Sequence, residues 1–263
     1  MFSIHPIWSL SADVLVEIYY FSRGLCMKVK YNAANTGDIL KHSWLIEVTE
    51  FLRKQLPSDP FKYADTFCGF KEYEIEDFFK ERLINQFQQT KLYEIQREYL
   101  DRNKYLGSAG IVRKLMGHRV QIDLFDTNPD AWDSFSGEDI KILPLKSEYD
   151  VLESDNPYDL IFLDPYDDFW DVYEEVIEKI GIKMGDSSVL LFVPFTEQNP
   201  YKELIETVKE TGIRYVNGIA ETRNAEMDGK WNAAMFFFPT TAISDEQMLI
   251  VENKLKQGFD CIG

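Results

Sequence analysis

Cysteine and histidine are scarce in this chain, with three of each among 263 residues. Cys26, Cys68 and Cys261 are odd in number and far apart, which argues against a disulfide framework or a CxxC metal pair and fits a reducing, cytoplasmic compartment. His5, His42 and His118 are too scattered for a zinc site, so no metal is expected. No apolar run reaches the length of a membrane span. The opening stretch "MFSIHPIWSLSADVLVEIYYFSRG" has acids inside it and no basic lead, which makes a poor secretory signal. Glycine-rich phosphate loops are missing too: neither GxGxxG nor GxxxxGK followed by Ser or Thr occurs. Positive charge is outweighed, 28 Lys and Arg against 45 Asp and Glu, and a net charge of −17 is the opposite of a typical nucleic-acid binder. There are no repeats, no low-complexity tract, no clear linker and no signal for an oligomeric state.

What is present is a sizeable apolar fraction, 45% hydrophobic and 14% aromatic, enough for the core of one α/β domain with insertions. "FKYADTF" reads as a first strand and "HRVQIDLFDTNP" as a second, closed by Asn128-Pro129. "IKILPL" is a short third. "YDLIFLDP" is a fourth, apolar on both faces as a buried parallel strand would be. "SVLLFVPF", "IRYVNGIAE" and "AAMFFFP" complete the sheet, the last as an antiparallel neighbour. Helical patterns at Thr36 to Lys54, Ala109 to Met116, Trp170 to Gly181 and Tyr201 to Gly212 alternate with these strands. The alternation predicts a mostly parallel, doubly wound sheet. Lys71 to Arg102 reads as a helical insertion over the carboxyl edge of that sheet, and Asp245 to Gly258 as a surface helix.

Charge is unevenly spread. From Lys91 to Arg119 seven Lys and Arg stand against three Asp and Glu, which reads either as a local basic face or as ordinary solvated helix charge. The informative acids stand at strand ends, where open α/β sheets bind ligands. Asp65 follows the first strand with Gly69 in its turn, Asp126 ends the second, and Asp164 ends the fourth. Each alone is also a common turn or cap residue. A carboxylate after the second strand can take both ribose hydroxyls of a nucleoside cofactor. The lone glycine after the first strand does not provide the several close N–H groups that a pyrophosphate needs. S-adenosylmethionine, a nucleoside whose sulfonium suits an acidic pocket, is the candidate. Asp164-Pro165-Tyr166 then offers a carboxylate to hold an exocyclic amine, a proline that commits no N–H, and an aromatic to stack on a base.

Several segments carry a family resemblance: "YNAANTGDILKHSWL", "ADTFCG", "YLGSAGIVRKLM", "LFDTNP" and "LIFLDPYDD", with "GIRYVNGIAE" and "MDGKWNAAMFFFP" following. In their order and spacing these resemble the bacterial large-subunit ribosomal RNA (adenine-N6)-methyltransferases. The likeness runs from about Lys30 to Lys256 and leaves residues 1–29 as an N-terminal extension. The resemblance implies that residues 30–263 form a methyltransferase-like domain, with an insertion at about 71–104. The resemblance implies a Rossmann-like methyltransferase sheet, S-adenosylmethionine as cofactor and an adenine amine in RNA as acceptor, with a role in rRNA processing. It also implies a cofactor contact at His42, a substrate-facing Lys41, a cofactor-binding Ser108, a ribose-binding Asp126 and a catalytic Asp164.

Three departures matter. Phe67 stands where the family has a cofactor-site histidine, and one glycine of that loop is lost. "DPPY" is replaced by "DPYD": either the aromatic has moved to Tyr166, or Asp167 fills its slot and Phe169 or Trp170 substitutes. Lys146-Ser147 replaces an acidic-glycine pair at the cofactor site. These departures leave two alternatives open: a methyltransferase-like binding protein without turnover, or a methyltransferase acting on a protein or small molecule. His42 also reads as an ordinary helix histidine. Phe78, Phe79, Phe87 and Tyr93 read as packing, with an RNA groove as the alternative. Trp231 and Phe236 to Phe238 read as core.

Overall fold

A computed structural model describes residues 14–21, 24–31, 33–56, 58–126, 128–137, 139–143, 148–165, 169–223 and 230–259. The elements run β1 (Val14–Phe21), β2 (Gly24–Tyr31), α1 (Thr36–Gln55), β3 (Phe61–Thr66), β4 (Glu72–Glu74), α2 (Asp77–Phe87), α3 (Lys91–Leu100), β5 (Lys104–Leu106) and α4 (Ser108–Met116). They continue through β6 (Val120–Phe125), α5 (Pro129–Asp133), β7 (Lys141–Ile142), β8 (Leu160–Leu163), α6 (Phe169–Lys183), β9 (Ser188–Phe195), α7 (Gln198–Glu210), β10 (Val216–Arg223), β11 (Lys230–Phe238) and α8 (Asp245–Phe259).

Seven strands form one sheet in the order β10-β11-β9-β8-β3-β6-β7. β3, β6, β7, β8 and β9 are parallel, and β11 runs antiparallel between β9 and β10. The chain builds outward from β3 to β6 and β7, then returns to place β8 on the other side of β3. The strand order therefore reverses between β3 and β8, and a ligand crevice opens where it does. This is the mostly parallel, doubly wound α/β sheet that the sequence predicts.

Side chains alternate between two cores, as the pleat requires. Leu160 and Phe162 of β8, with Leu190 and Phe192 of β9, pack beneath α1, α4 and α8. Ile161 and Leu163, with Val189 and Leu191, pack beneath α6 and α7. Burial on both faces explains why β8 and β9 are apolar without interruption. Fully burying one such side chain contributes about 1.5–3 kcal/mol. Phe236, Phe237 and Phe238 of β11 are all buried.

The stretch read as a helical insertion contains two short strands besides its helices. Its two helices are preceded and followed by β4 and β5, which pair antiparallel to each other. It packs on the helices α1 and α4, through Phe79, Leu83, Phe87, Leu92 and Ile95 against Ile39, Ile46 and Ile111, and so forms a third core outside the sheet. Phe79 and Phe87 are packing residues, while Phe78 is 54% exposed. β1 and β2, within and just beyond the expected extension, form an antiparallel ribbon whose strands pair only with each other among the described residues. No helix among the described residues is long and apolar enough to cross a membrane.

Candidate active site

β6, β3 and β8 are adjacent and parallel, with Thr66 level with both Phe125 and Leu163. Their carboxyl ends deliver Asp126, Asp65 and Asp164 to one rim. Asp65 feels the charge of both other acids.

Asp65 is completely buried and shares its side of β3 with Tyr63, two residues back. The Tyr63 hydroxyl donates to Asp65 Oδ2 at 2.9 Å. Asp65 Oδ1 is buried and makes no hydrogen bond. Burial pushes this carboxyl up to about 7, against the favourable influence of the Ser108 and Tyr63 hydroxyls. Ser108 opens α4 and is itself buried. Gly107 before it is required by space: a Cβ there would lie 2.6 Å from the Phe70 carbonyl oxygen.

Asp126 organises the loop after β3. Its Oδ2 accepts from the Gly69 N–H at 2.9 Å and its Oδ1 from the Asn128 N–H at 2.8 Å. Gly69 sits at φ +56°, a left-handed conformation that favours glycine. Phe67 adopts a positive φ of 56° without being glycine. Its ring is buried edge-on to Tyr149, with centroids 5.3 Å apart, in the α6–α7 core. Cys68 is buried beside Asp126, and desolvation raises its thiol pKa far above the ordinary value.

α1 supplies the other wall. Asn35 caps it by accepting from the Asp38 N–H at 2.9 Å, and Asp38 Oδ2 accepts in return from the Ala34 N–H at 2.9 Å. This reciprocal cap fixes the first turn, from which Lys41 reaches the rim. The Lys41 ammonium lies 2.6 Å from Asp164 Oδ2 and 3.0 Å from Asp38 Oδ1, and 5.3 Å from the centre of the Phe192 ring. The Asp164 side chain keeps 19% of its surface exposed, so it stands at the mouth of the rim. Desolvation raises its pKa while Lys41 pulls it down. His42 turns the other way, its Nδ1 2.7 Å from the Tyr105 hydroxyl, and burial lowers its pKa to about 3. The imidazole is therefore neutral at physiological pH.

Pro165 follows Asp164 and is buried. Tyr166, Lys146 and Ser147 lie outside the described residues. Of the aromatics that the altered motif offers, Phe169 is 1% exposed and belongs to the core, whereas Trp170 is half-buried and donates from Nε1 to the Pro194 carbonyl at 3.2 Å.

Several cations of the Lys91 to Arg119 stretch face glutamates. Lys91 meets Glu50, Lys104 meets Glu74 and Lys114 meets Glu98. Arg113 donates to the carbonyls of Val120 and Asp139. Sequence reasoning missed Asp38, Tyr63 and Tyr105 as parts of this site. The acid of the first turn of α1 was legible only as part of a helix start.

No protein-family model matches the sequence, and no curated protein matches it. Solved structures do. Protein LPL1258 from Legionella pneumophila superposes with a TM-score of 0.63 at 17% identity, over 88% of this chain and 95% of that one. A probable spermidine synthase from Corynebacterium glutamicum gives 0.49 at 11% identity, over 92% of this chain and 83% of that one. Human methyltransferase-like protein 13, solved with SAH, gives 0.40 at 12% identity, over 84% and 92%. The Legionella likeness supports the overall fold.

The residues present fit a nucleoside sulfonium donor. Asp65 offers a buried carboxyl beside the reversal of strand order, in a cluster of acids that favours a cation.

Proposed function

We propose that this chain is an S-adenosylmethionine-dependent methyltransferase acting on the exocyclic amine of adenine in RNA. The observation that carries the reading is the convergence of Asp65, Asp126 and Asp164 at the carboxyl ends of β3, β6 and β8, with Lys41 of α1 held against Asp164. Asp65 and Asp126, with the Gly69 turn and Ser108, would hold the cofactor. When bound, S-adenosylmethionine would supply an electrophilic methyl group with a neutral thioether as leaving group.

Asp164 accepts a hydrogen bond from the acceptor amine and orients the nitrogen lone pair toward the methyl group. It then stabilises the positive charge that the nitrogen gains as the N–C bond forms, and the extra proton leaves to water. Burial raises the Asp164 pKa, and Lys41 works against that shift, because a neighbouring ammonium favours the carboxylate over the acid. Trp170, whose Nε1 donates to the Pro194 carbonyl at the carboxyl end of β9, is the described aromatic of the altered motif that could offer a face to an extracted base.

The glutamate partners of Lys91, Lys104 and Lys114 favour a second reading, in which the acceptor is not a polyanion. Calorimetry with S-adenosylmethionine, followed by mass spectrometry of RNA and protein fractions after incubation, tests both. A new methyl mark on adenine supports the first reading. A mark on protein supports the second, and binding without any mark supports a partner protein that no longer turns over. Asp164→Ala should abolish transfer while the cofactor still binds, and retained activity in that variant removes the mechanism.

A further inference from the structure

Lys41 creates a difficulty that its own surroundings resolve. Its ammonium is 2.6 Å from the carboxylate oxygen that an acceptor amine would use. While it stays there, it competes for the lone pairs of Asp164. It also repels the positive charge that builds on the amine nitrogen during transfer. Expelling an ammonium from a buried site with no alternative carboxylate is costly.

Asp38 is the alternative. It is 1% exposed, is fixed by the Ala34 N–H at Oδ2, and presents Oδ1 to the same ammonium at 3.0 Å. A small rotation of the lysine side chain releases Asp164 while keeping the contact with Asp38, without returning the charge to water. We propose that Asp38 is a positioning residue for methyl transfer, giving the Lys41 ammonium a second buried carboxylate to rest on while the acceptor amine occupies Asp164. The inference rests on the methyltransferase reading of this site. It adds a group that acts only through Lys41.

The charged and titratable groups that face Asp164 are Lys41 and Asp38 from α1 and, from β3, Asp65 and Tyr63. Asp38 opposes ionisation of Asp164 and Lys41 favours it. Neutralising Asp38 should therefore fasten Lys41 to Asp164 and shift the ionisation of Asp164 to lower pH. Removing Lys41 should shift it to higher pH.

The test compares Asp38→Asn, Lys41→Met and the double variant in the full chain. Asp38→Asn should raise the KM for the RNA acceptor on the order of tenfold, the usual scale of coupling between neighbouring charges. Cofactor affinity should stay within about twofold, because Asp38 is assigned no contact with the cofactor. The double variant should recover most of the lost KM, since the competing ammonium is gone. A helix-cap defect would lower the melting temperature and would not be reversed by removing Lys41, so a double variant no better than Asp38→Asn overturns the proposal. If Asp38→Asn does not fold, Lys41→Met alone decides. It should move the acid limb of the pH profile upward without raising the acceptor KM, and a tenfold rise in KM overturns the proposal. Titration of the Asp164 carboxyl by carbon-13 NMR needs no turnover. Its midpoint should fall in Asp38→Asn and rise in Lys41→Met, and midpoints that stay in place also overturn the proposal. A wild-type protein that titrates as expected but transfers no methyl group counts against the methyltransferase reading instead.

Discussion

Lys41 and Lys91 each meet a carboxylate, but in different surroundings. Lys41 is 10% exposed and sits between Asp38 and Asp164, which are 1% and 19% exposed. Lys91 is 38% exposed and Glu50, its partner, 24%. Water screens the second pair and has little access to the first. The strand-end rim is thus a place where moving one charge changes the protonation of its neighbours. In the insertion, a charge can be lost with little consequence. The fold keeps its electrostatic leverage at the reversal between β3 and β8.

The sharpest way to break this comparison is Asp164→Asn. The amide keeps the shape but cannot stabilise developing positive charge. Transfer should fall by about 10³-fold with cofactor affinity little changed, which single-turnover kinetics would measure. A loss no larger than that of an insertion variant would remove the distinction between the two regions.

Asp65 gives the next largest effect, and its sign is informative. Its carboxyl is raised to about 7 in the folded protein by burial, while the unfolded chain titrates near the ordinary value. The folded state therefore binds the proton more tightly. The resulting stability is fully present at acidic pH and is lost as pH rises through about 7. Asp65→Asn removes that cost and should stabilise the cofactor-free protein at pH 8 by about 1–4 kcal/mol, with a much smaller gain at pH 5. Urea unfolding of both proteins at the two pH values isolates the difference. The same variant should weaken S-adenosylmethionine binding, because the buried acid is the group opposed to the cation. A variant that is both more stable and a poorer binder is what an electrostatically strained site predicts.

In the insertion, the consequential polar group is uncharged. Gln96 is buried, donates from Nε2 to the Leu106 carbonyl at 2.9 Å and accepts from the Leu106 N–H at 2.8 Å. It ties α3 to β5 just before Gly107 and Ser108. Gln96→Leu would strand two backbone groups of a buried residue and should cost about 2–3 kcal/mol by thermal melting.

The same contrast explains what the sequence made legible. The sheet strands were readable because apolar runs such as "LIFL" and "VLLFV" are long, and turn residues such as Asn128-Pro129 close others. The convergence of Asp65, Asp126 and Asp164 followed from strand topology alone. β4 and β5 were not readable, since three-residue strands leave no periodic pattern and Gln96 fixes β5 from a distance. The sequence does not mark the break between α2 and α3 either: Thr90 caps α3 with no proline or glycine beside it. The Lys41–Asp164 contact joins residues 123 positions apart, and nothing local encodes it. Asp38 reads as an ordinary acid in a first helical turn because that is also one of its roles.

The smallest effect should come from the pair that opened the comparison. Lys91 begins α3 and reaches Glu50 of α1, so its loss removes one bridge between the insertion and the domain beneath it. Both ends are partly solvated and their attraction is screened, and α3 stays anchored by the buried Leu92 and Ile95. Lys91→Ala should therefore cost about 0.2–1 kcal/mol in thermal unfolding, less at high salt, with methyl transfer to a small nucleoside acceptor unchanged. On RNA the same variant separates two roles. If Lys91 also meets a phosphate, the salt dependence of RNA affinity should weaken by about one counterion. An unchanged slope would leave Lys91 as a structural contact to Glu50 and move the search for phosphate-binding cations to the α1 side of the rim.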